Sequence, residues 1–121
     1  MIGIGIDVVD LERFRAVVGR RPELLDRLFT SAEQVDLANR ADPLPGLAAR
    51  FAVKEAAMKA LGVGLGSVAF HELEVVGGHG QPPGLQVTGR AADRAALLGV
   101  AGWHVSLTHG DSVAAAVVVA Q

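Results

Sequence analysis

The sequence predicts an α+β fold, a small and mainly antiparallel sheet packed on a long central helix. Three stretches carry that expectation. Ile2, Ile4, Ile6 and Val8 alternate with Gly3, Gly5 and Asp7, and period two with β-branched residues marks a strand. From Leu47 to Leu61 the chain is built of good helix formers, chiefly Ala, Leu, Met, Lys and Glu, and Gly62 and Gly64 stop it. Near the C-terminus Trp103 to His109 alternates, Gly110-Asp111 makes a hairpin turn, and Val113 to Ala120 returns as a strand apolar on both faces.

Taken in order, the isoleucine face of the first strand is expected on the core. Its other face carries no side chain until Asp7, so a neighbour can approach the backbone closely. Asp10 precedes a helical pattern and suits an N-cap. Leu11 to about Gly19 then forms a helix with Leu11, Phe14 and Val18 toward the core. Its second face is a basic stripe of Arg13 and Arg20 with Ala16 and Val17 between them and Arg21 beside it. Such a stripe is either a solvated face or a dock for an acidic partner helix. Pro22 opens a short helix carrying Leu24, Leu25 and Leu28. Thr30-Ser31-Ala32-Glu33 is a capping box and predicts a helix to about Arg40. Pro43 to Gly46 reads as a turn before the central helix. Phe70 to Val76 reads as a strand, Gly77 to Gly84 as a loop with four glycines and two prolines, and Leu85 to Thr88 as a short strand. Ala91 to Leu98 is an alanine-rich helix ended by Gly99.

Composition narrows the function classes. One domain suits this length, 1–121, and half the residues are hydrophobic, enough for a real core. A domain of this size still leaves much surface exposed, and oligomerisation would help it. With 13 acids against 11 bases the net charge is −2, which makes no case for nucleic acid. The chain has no cysteine, so disulfides and thiolate metal sites are excluded. No apolar run has the length and flanks of a signal peptide or membrane span, and a soluble cytoplasmic protein is expected.

The charged residues of the central helix set it apart. Leu47, Phe51, Met58 and Leu61 share one side, and Lys54 projects among these apolar positions. Glu55 borders the stripe, Lys59 follows one turn later, and Arg50 flanks the other edge. A carboxylate and cations on a partly buried helix that ends in Gly-x-Gly suit a phosphate and its metal. Glu followed by Lys at i+4 is also an ordinary surface pair worth roughly 0.3–0.5 kcal/mol. The four histidines, His71, His79, His104 and His109, show no metal-ligand spacing. There is no Walker motif, no dinucleotide glycine fingerprint and no Ser-His-acid arrangement.

Three pieces carry a resemblance that spans nearly the whole chain. They are Gly3-Ile4-Gly5-Ile6-Asp7 leading into a helix with Arg13; Arg50-Phe51-Ala52-Val53-Lys54-Glu55-Ala56 with Lys59-Ala60-Leu61-Gly62; and Trp103-His104-Val105-Ser106-Leu107-Thr108-His109. In order, separation and total length they resemble the holo-acyl-carrier-protein synthases, the short bacterial type of 4'-phosphopantetheinyl transferase. The resemblance implies that fold, assembled as a homotrimer with coenzyme A held between neighbouring subunits. It implies transfer of the 4'-phosphopantetheine arm of coenzyme A to a serine of an acyl carrier protein, with 3',5'-ADP released, in fatty acid or polyketide biosynthesis. It further implies that Asp7 and Glu55 bind Mg²⁺ and that Lys59 touches the phosphates, with all three residues catalytic. Arg50, Lys59, Gly62, Gly64, Ser106 and His109 then match coenzyme A contacts, and Arg13, Arg20 and Arg21 match carrier-protein contacts. The chain departs from the pattern between Ala41 and Pro45, where relatives carry more basic residues, and at Val63, where many have threonine. Two other readings stay open on the sequence: a noncatalytic coenzyme A-binding protein of the same fold, and a module that only docks an acidic helix.

Overall fold

A computed structural model describes residues 1–78 and 80–121. The elements are β1 (Gly3–Asp10), α1 (Leu11–Arg20), α2 (Leu24–Leu28), α3 (Ser31–Leu37), α4 (Leu44–Leu61), β2 (Leu73–Gly78), β3 (Gln81–Val87), α5 (Gly89–Leu98), β4 (Trp103–His109) and β5 (Val113–Ala120). A 3-10 turn, Phe70–Glu72, precedes β2. The strands form two antiparallel sheets, one of order β1-β5-β4 and one of β2-β3. The α+β class is as expected, with the sheet divided in two.

The central helix is core all round. Of its 18 residues 14 are buried, and six of those are alanines, which let neighbours approach from every side. It starts at Leu44, earlier than expected, because Pro45 falls in the first turn, where its missing N–H costs nothing. It ends at Gly62 in the left-handed conformation, φ 68°.

The strand β1 lies on α4 with the opposite face from the one expected. Its glycines, not its isoleucines, meet the helix. A Cβ added to Gly5 would stand 1.8 Å from the Ala56 carbonyl oxygen, and one added to Gly3 would stand 2.0 Å from that of Ala60. Backbone-to-backbone packing this close excludes any side chain, so Ile4, Ile6 and Val8 turn outward, 58%, 61% and 60% exposed. On β5, Ala114, Ala116, Val118 and Ala120 face the core.

Other boundaries moved for local reasons. The α3 capping box forms as read, with Thr30 and Glu33 exchanging bonds, but the helix stops at Leu37. Asp10 caps α1 through the Arg13 N–H at 2.8 Å. The expected strand from Phe70 begins only at Leu73, since Glu72 turns back onto the Ala69 N–H and also caps α5 at Arg90 and Ala91. The expected loop from Gly77 to Gly84 is largely strand. Gly78 pairs with Gln81, both Gly78 and Gly80 have positive φ, and the register shifts between Val76 and Gly78, where Gly77 also has positive φ. His79, part of that expected loop and one of the four histidines, lies outside the described residues.

Lys54 explains itself here. Its Nζ is fully buried and donates to Glu33 Oε1 at 2.8 Å and to the Phe70 carbonyl at 2.9 Å. Glu33, equally buried, also accepts from the Thr30 and Val75 N–H groups. Burial pulls the Lys54 ammonium below its ordinary pKa, and the Glu33 charge opposes this. The pair joins α3, α4, the 3-10 turn and β2. Lys54→Met leaves that carboxylate buried without its cation, and denaturant unfolding is expected to show a loss of roughly 3–5 kcal/mol. Adding Glu33→Gln should recover part of it, and a loss no larger than that of a surface substitution would refute the role.

Candidate functional site

Packing β1 onto α4 through glycine has a second effect. Asp7, next on the glycine face after Gly3 and Gly5, is carried over α4 to the position of Glu55. Both carboxylates line one cleft of about 520 Å³ among α1, α2, β1 and α4. Arg13 stands at its side, and its walls are apolar, with Phe14, Phe51 and Phe70 among them. The three rings follow one another at centroid distances of 5.6 and 5.8 Å.

The charges in the cleft are unevenly matched. Lys59 reaches past Glu55. Its Nζ donates to the Ile6 carbonyl at 2.8 Å and to Asp7 Oδ1 at 3.4 Å, so the pair that the i+4 spacing suggested is not made. Among the described residues the Glu55 carboxylate accepts no hydrogen bond. Burial, and then the Asp7 charge, push the Glu55 carboxyl above the usual carboxylate range, while Lys59 pulls the other way. A half-buried carboxylate without a donor, beside a second one, asks for a cation.

Mg²⁺ fits this donor set. It takes hard oxygen ligands, commonly one or two protein carboxylates completed by phosphate oxygens and water. Among the described residues no three of His, Cys, Asp and Glu gather into a fuller metal site, and Asp7 and Glu55 are side chains in the cleft that could hold the ion.

The remaining sequence candidates stand apart from the cleft. Arg50 is buried elsewhere on α4, its Nε without a partner among the described residues and an added Cβ at Gly78 only 3.7 Å from its Nη2. Burial lowers its pKa; Asp36 opposes this, Arg40 adds to it, and Glu33 opposes it. Gly62 and Gly64 form the turn after α4, and the space around Gly64 is open. Ser106 and His109 are exposed on β4, at the far edge of the β1-β5-β4 sheet from Asp7. Arg20 is exposed in the last turn of α1, and Arg21 pairs with Glu23 at 3.1 Å. Glu33 was missed as anything beyond a cap, although a lysine set among apolar positions already calls for a buried carboxylate.

Comparison with known proteins identifies the family of the chain. The family model of the 4'-phosphopantetheinyl transferase superfamily matches residues 3–118. The chain is 48% identical over 121 residues to a holo-acyl-carrier-protein synthase of Streptomyces griseus, covering 100% of this chain and 98% of that one. A crystal structure of the holo-acyl-carrier-protein synthase of Neisseria meningitidis superposes with a TM-score of 0.89 at 27% identity, covering 100% of this chain and 98% of that chain. That of Helicobacter pylori, in complex with coenzyme A, superposes with a TM-score of 0.83 at 28% identity, covering 98% and 99%. The chain belongs to the 4'-phosphopantetheinyl transferase superfamily and, within it, to the holo-acyl-carrier-protein synthases.

Proposed function

We propose that this chain moves the 4'-phosphopantetheine arm of coenzyme A onto a serine hydroxyl of apo-acyl carrier protein, forming holo-acyl carrier protein and 3',5'-ADP. The observation that carries the reading is the convergence of Asp7 and Glu55 in one cleft, with Lys59 on the first and no donor on the second. Binding alone needs no such pair of carboxylates. Incubation with coenzyme A, Mg²⁺ and apo-acyl carrier protein tests it. The expected result is a gain of one phosphopantetheine in the mass of the carrier, and an unchanged carrier mass would refute the reading.

Asp7 and Glu55 would hold a Mg²⁺ ion, which when bound neutralises charge on the pyrophosphate of coenzyme A. Phosphoryl-type transfer depends mainly on positioning and charge stabilisation, so the chain needs no covalent nucleophile. Glu55, directly or through a water molecule, takes the proton of the attacking serine, and the apolar walls that raise its basicity suit it to this. Lys59 steadies negative charge on the phosphates. Arg50, Gly62, Gly64, Ser106 and His109 serve coenzyme A.

Arg13 and Arg20 present the basic face of α1 to the acidic carrier protein, with Arg21 beside them. Exposed charges steer encounter and are screened by salt. Arg13→Glu is expected to raise the KM for carrier protein by about tenfold and leave that for coenzyme A unchanged, since reversing one rim charge acts on the encounter. Equal effects on both substrates would place Arg13 in the nucleotide site instead.

The chain acts as one domain, 1–121, and as a homotrimer. Two observations support assembly. The outer face of the β1-β5-β4 sheet exposes Ile4, Ile6, Val8 and Val113 together, and a patch of that kind is commonly covered by a partner. His109 and Ser106, assigned to coenzyme A, do not line the cleft of Asp7 and Glu55 in their own chain. A neighbouring copy would bring them to it, giving three equivalent sites. Light scattering at assay concentration should return three times the chain mass, and a fully active monomer would refute the assembly. No helix among the described residues is long and apolar enough to cross a membrane. The protein works in the cytoplasm, in fatty acid or polyketide biosynthesis, without nucleic acid or membrane partners.

A further inference from the structure

Lys59 makes two bonds of different kinds in the candidate centre. One is to the main-chain oxygen of Ile6, on β1, an edge strand of its sheet. The other is to Asp7, the longer of the two by the difference between 3.4 and 2.8 Å. A divalent cation competes first for the charged carboxylate, and the neutral Ile6 carbonyl is the weaker ligand. Among the described residues no other cation touches Asp7 or Glu55. The Asp7 side chain is 19% exposed and that of Lys59 56%, so the ammonium can swing toward solvent while the carboxylate stays in place.

We propose that Lys59 is the exchangeable counter-cation of Asp7. In the chain alone it neutralises the carboxylate and ties the edge of β1 through Ile6. A divalent ion arriving at Asp7 and Glu55 drives the ammonium off Asp7 by like-charge repulsion, while the bond to Ile6 keeps it within reach of the incoming phosphates. The lysine is thereby released toward the substrate only when the metal is in place, and the metal must outcompete it. This rests on the reading of Asp7 and Glu55 as metal ligands.

The inference makes the affinity for metal rise when the lysine charge is removed. Mn²⁺ is the probe, its free ion counted by electron paramagnetic resonance with the intact chain and no coenzyme A. The native chain is expected to bind Mn²⁺, and Asp7→Asn to lose that binding. Lys59→Met should bind Mn²⁺ about tenfold more tightly, the effect of removing one unit charge close to the ion in a partly shielded cleft. Lys59→Arg, which keeps the charge, should stay within about twofold of the native chain. If native and Asp7→Asn behave as stated but Lys59→Met binds no better than native, the exchange is overturned and the metal site stands. If the native chain holds no Mn²⁺ that Asp7→Asn removes, the metal reading itself fails and takes the exchange with it.

Discussion

Glu55→Ala is expected to lower phosphopantetheine transfer by roughly 10²- to 10⁴-fold, the range for removing a positioned general base, and to leave the fold intact. Asp7→Ala should fall in the same range. The two measurements that matter are transfer at saturating Mg²⁺ and denaturant unfolding. Their contrast carries the argument. The folded chain holds the Glu55 carboxyl above its ordinary value, because burial and the Asp7 charge disfavour its ionised form. An acid whose pKa is raised on folding opposes folding once pH passes its unfolded value. At neutral pH, above that unfolded value, Glu55 therefore works against stability, and Glu55→Gln should unfold at no lower denaturant than the native chain while losing transfer. A structural glutamate would show the reverse, a lower midpoint with activity kept in the molecules that remain folded. Near-normal turnover in either alanine variant would remove Asp7 or Glu55 from the reaction.

Gly5→Ala should do what few single methyl groups do. The added Cβ would sit 1.8 Å from the Ala56 carbonyl oxygen and 2.7 Å from its carbon, both main-chain atoms in the middle of a buried helix. Neither can give way as a flexible side-chain end would. The strand must lift off α4, and a loss of about 3 kcal/mol, the upper end of ordinary overpacking, is expected from urea unfolding. Since Asp7 rides on the same strand two residues on, transfer should fall with it even in conditions where the chain stays folded. Gly19→Ala is the control. Nothing lies within 4 Å of a Cβ there, and Gly19 is inside α1, where alanine is favoured over glycine by roughly 0.5–1 kcal/mol. Opposite signs at the two glycines are the expected outcome. Equal and small effects would mean that the close approach of β1 to α4 does not hold the site together.

Most of the elements were legible because their signals are local. The alternation of β1, the Asp10 cap, the capping box at Thr30 and the left-handed glycines after α4 and α5 depend on neighbours in sequence, and each appears where it was read. The errors came where one residue has two uses. Pro45 looks like a turn and serves as the first turn of a helix. The glycines from 77 to 84 look like a loop and lie largely in paired strands instead. The isoleucines of β1 look like core, and period two alone does not say which face is buried.

By itself the sequence determined the helix and strand types, the capping and the order of the three pieces that mark the family, because propensity, periodicity and motif are properties of the chain. Tertiary structure decided which face of β1 is buried, since that depends on how closely Gly3 and Gly5 let the strand approach the alanines of α4. It decided that Lys54 pairs with Glu33, 21 residues away, because a buried ammonium must find its carboxylate wherever the fold supplies one. It also decided that Lys59 answers Asp7 and not Glu55, a choice between a partner one helical turn away and one 52 residues distant, made by the path of β1 across the helix.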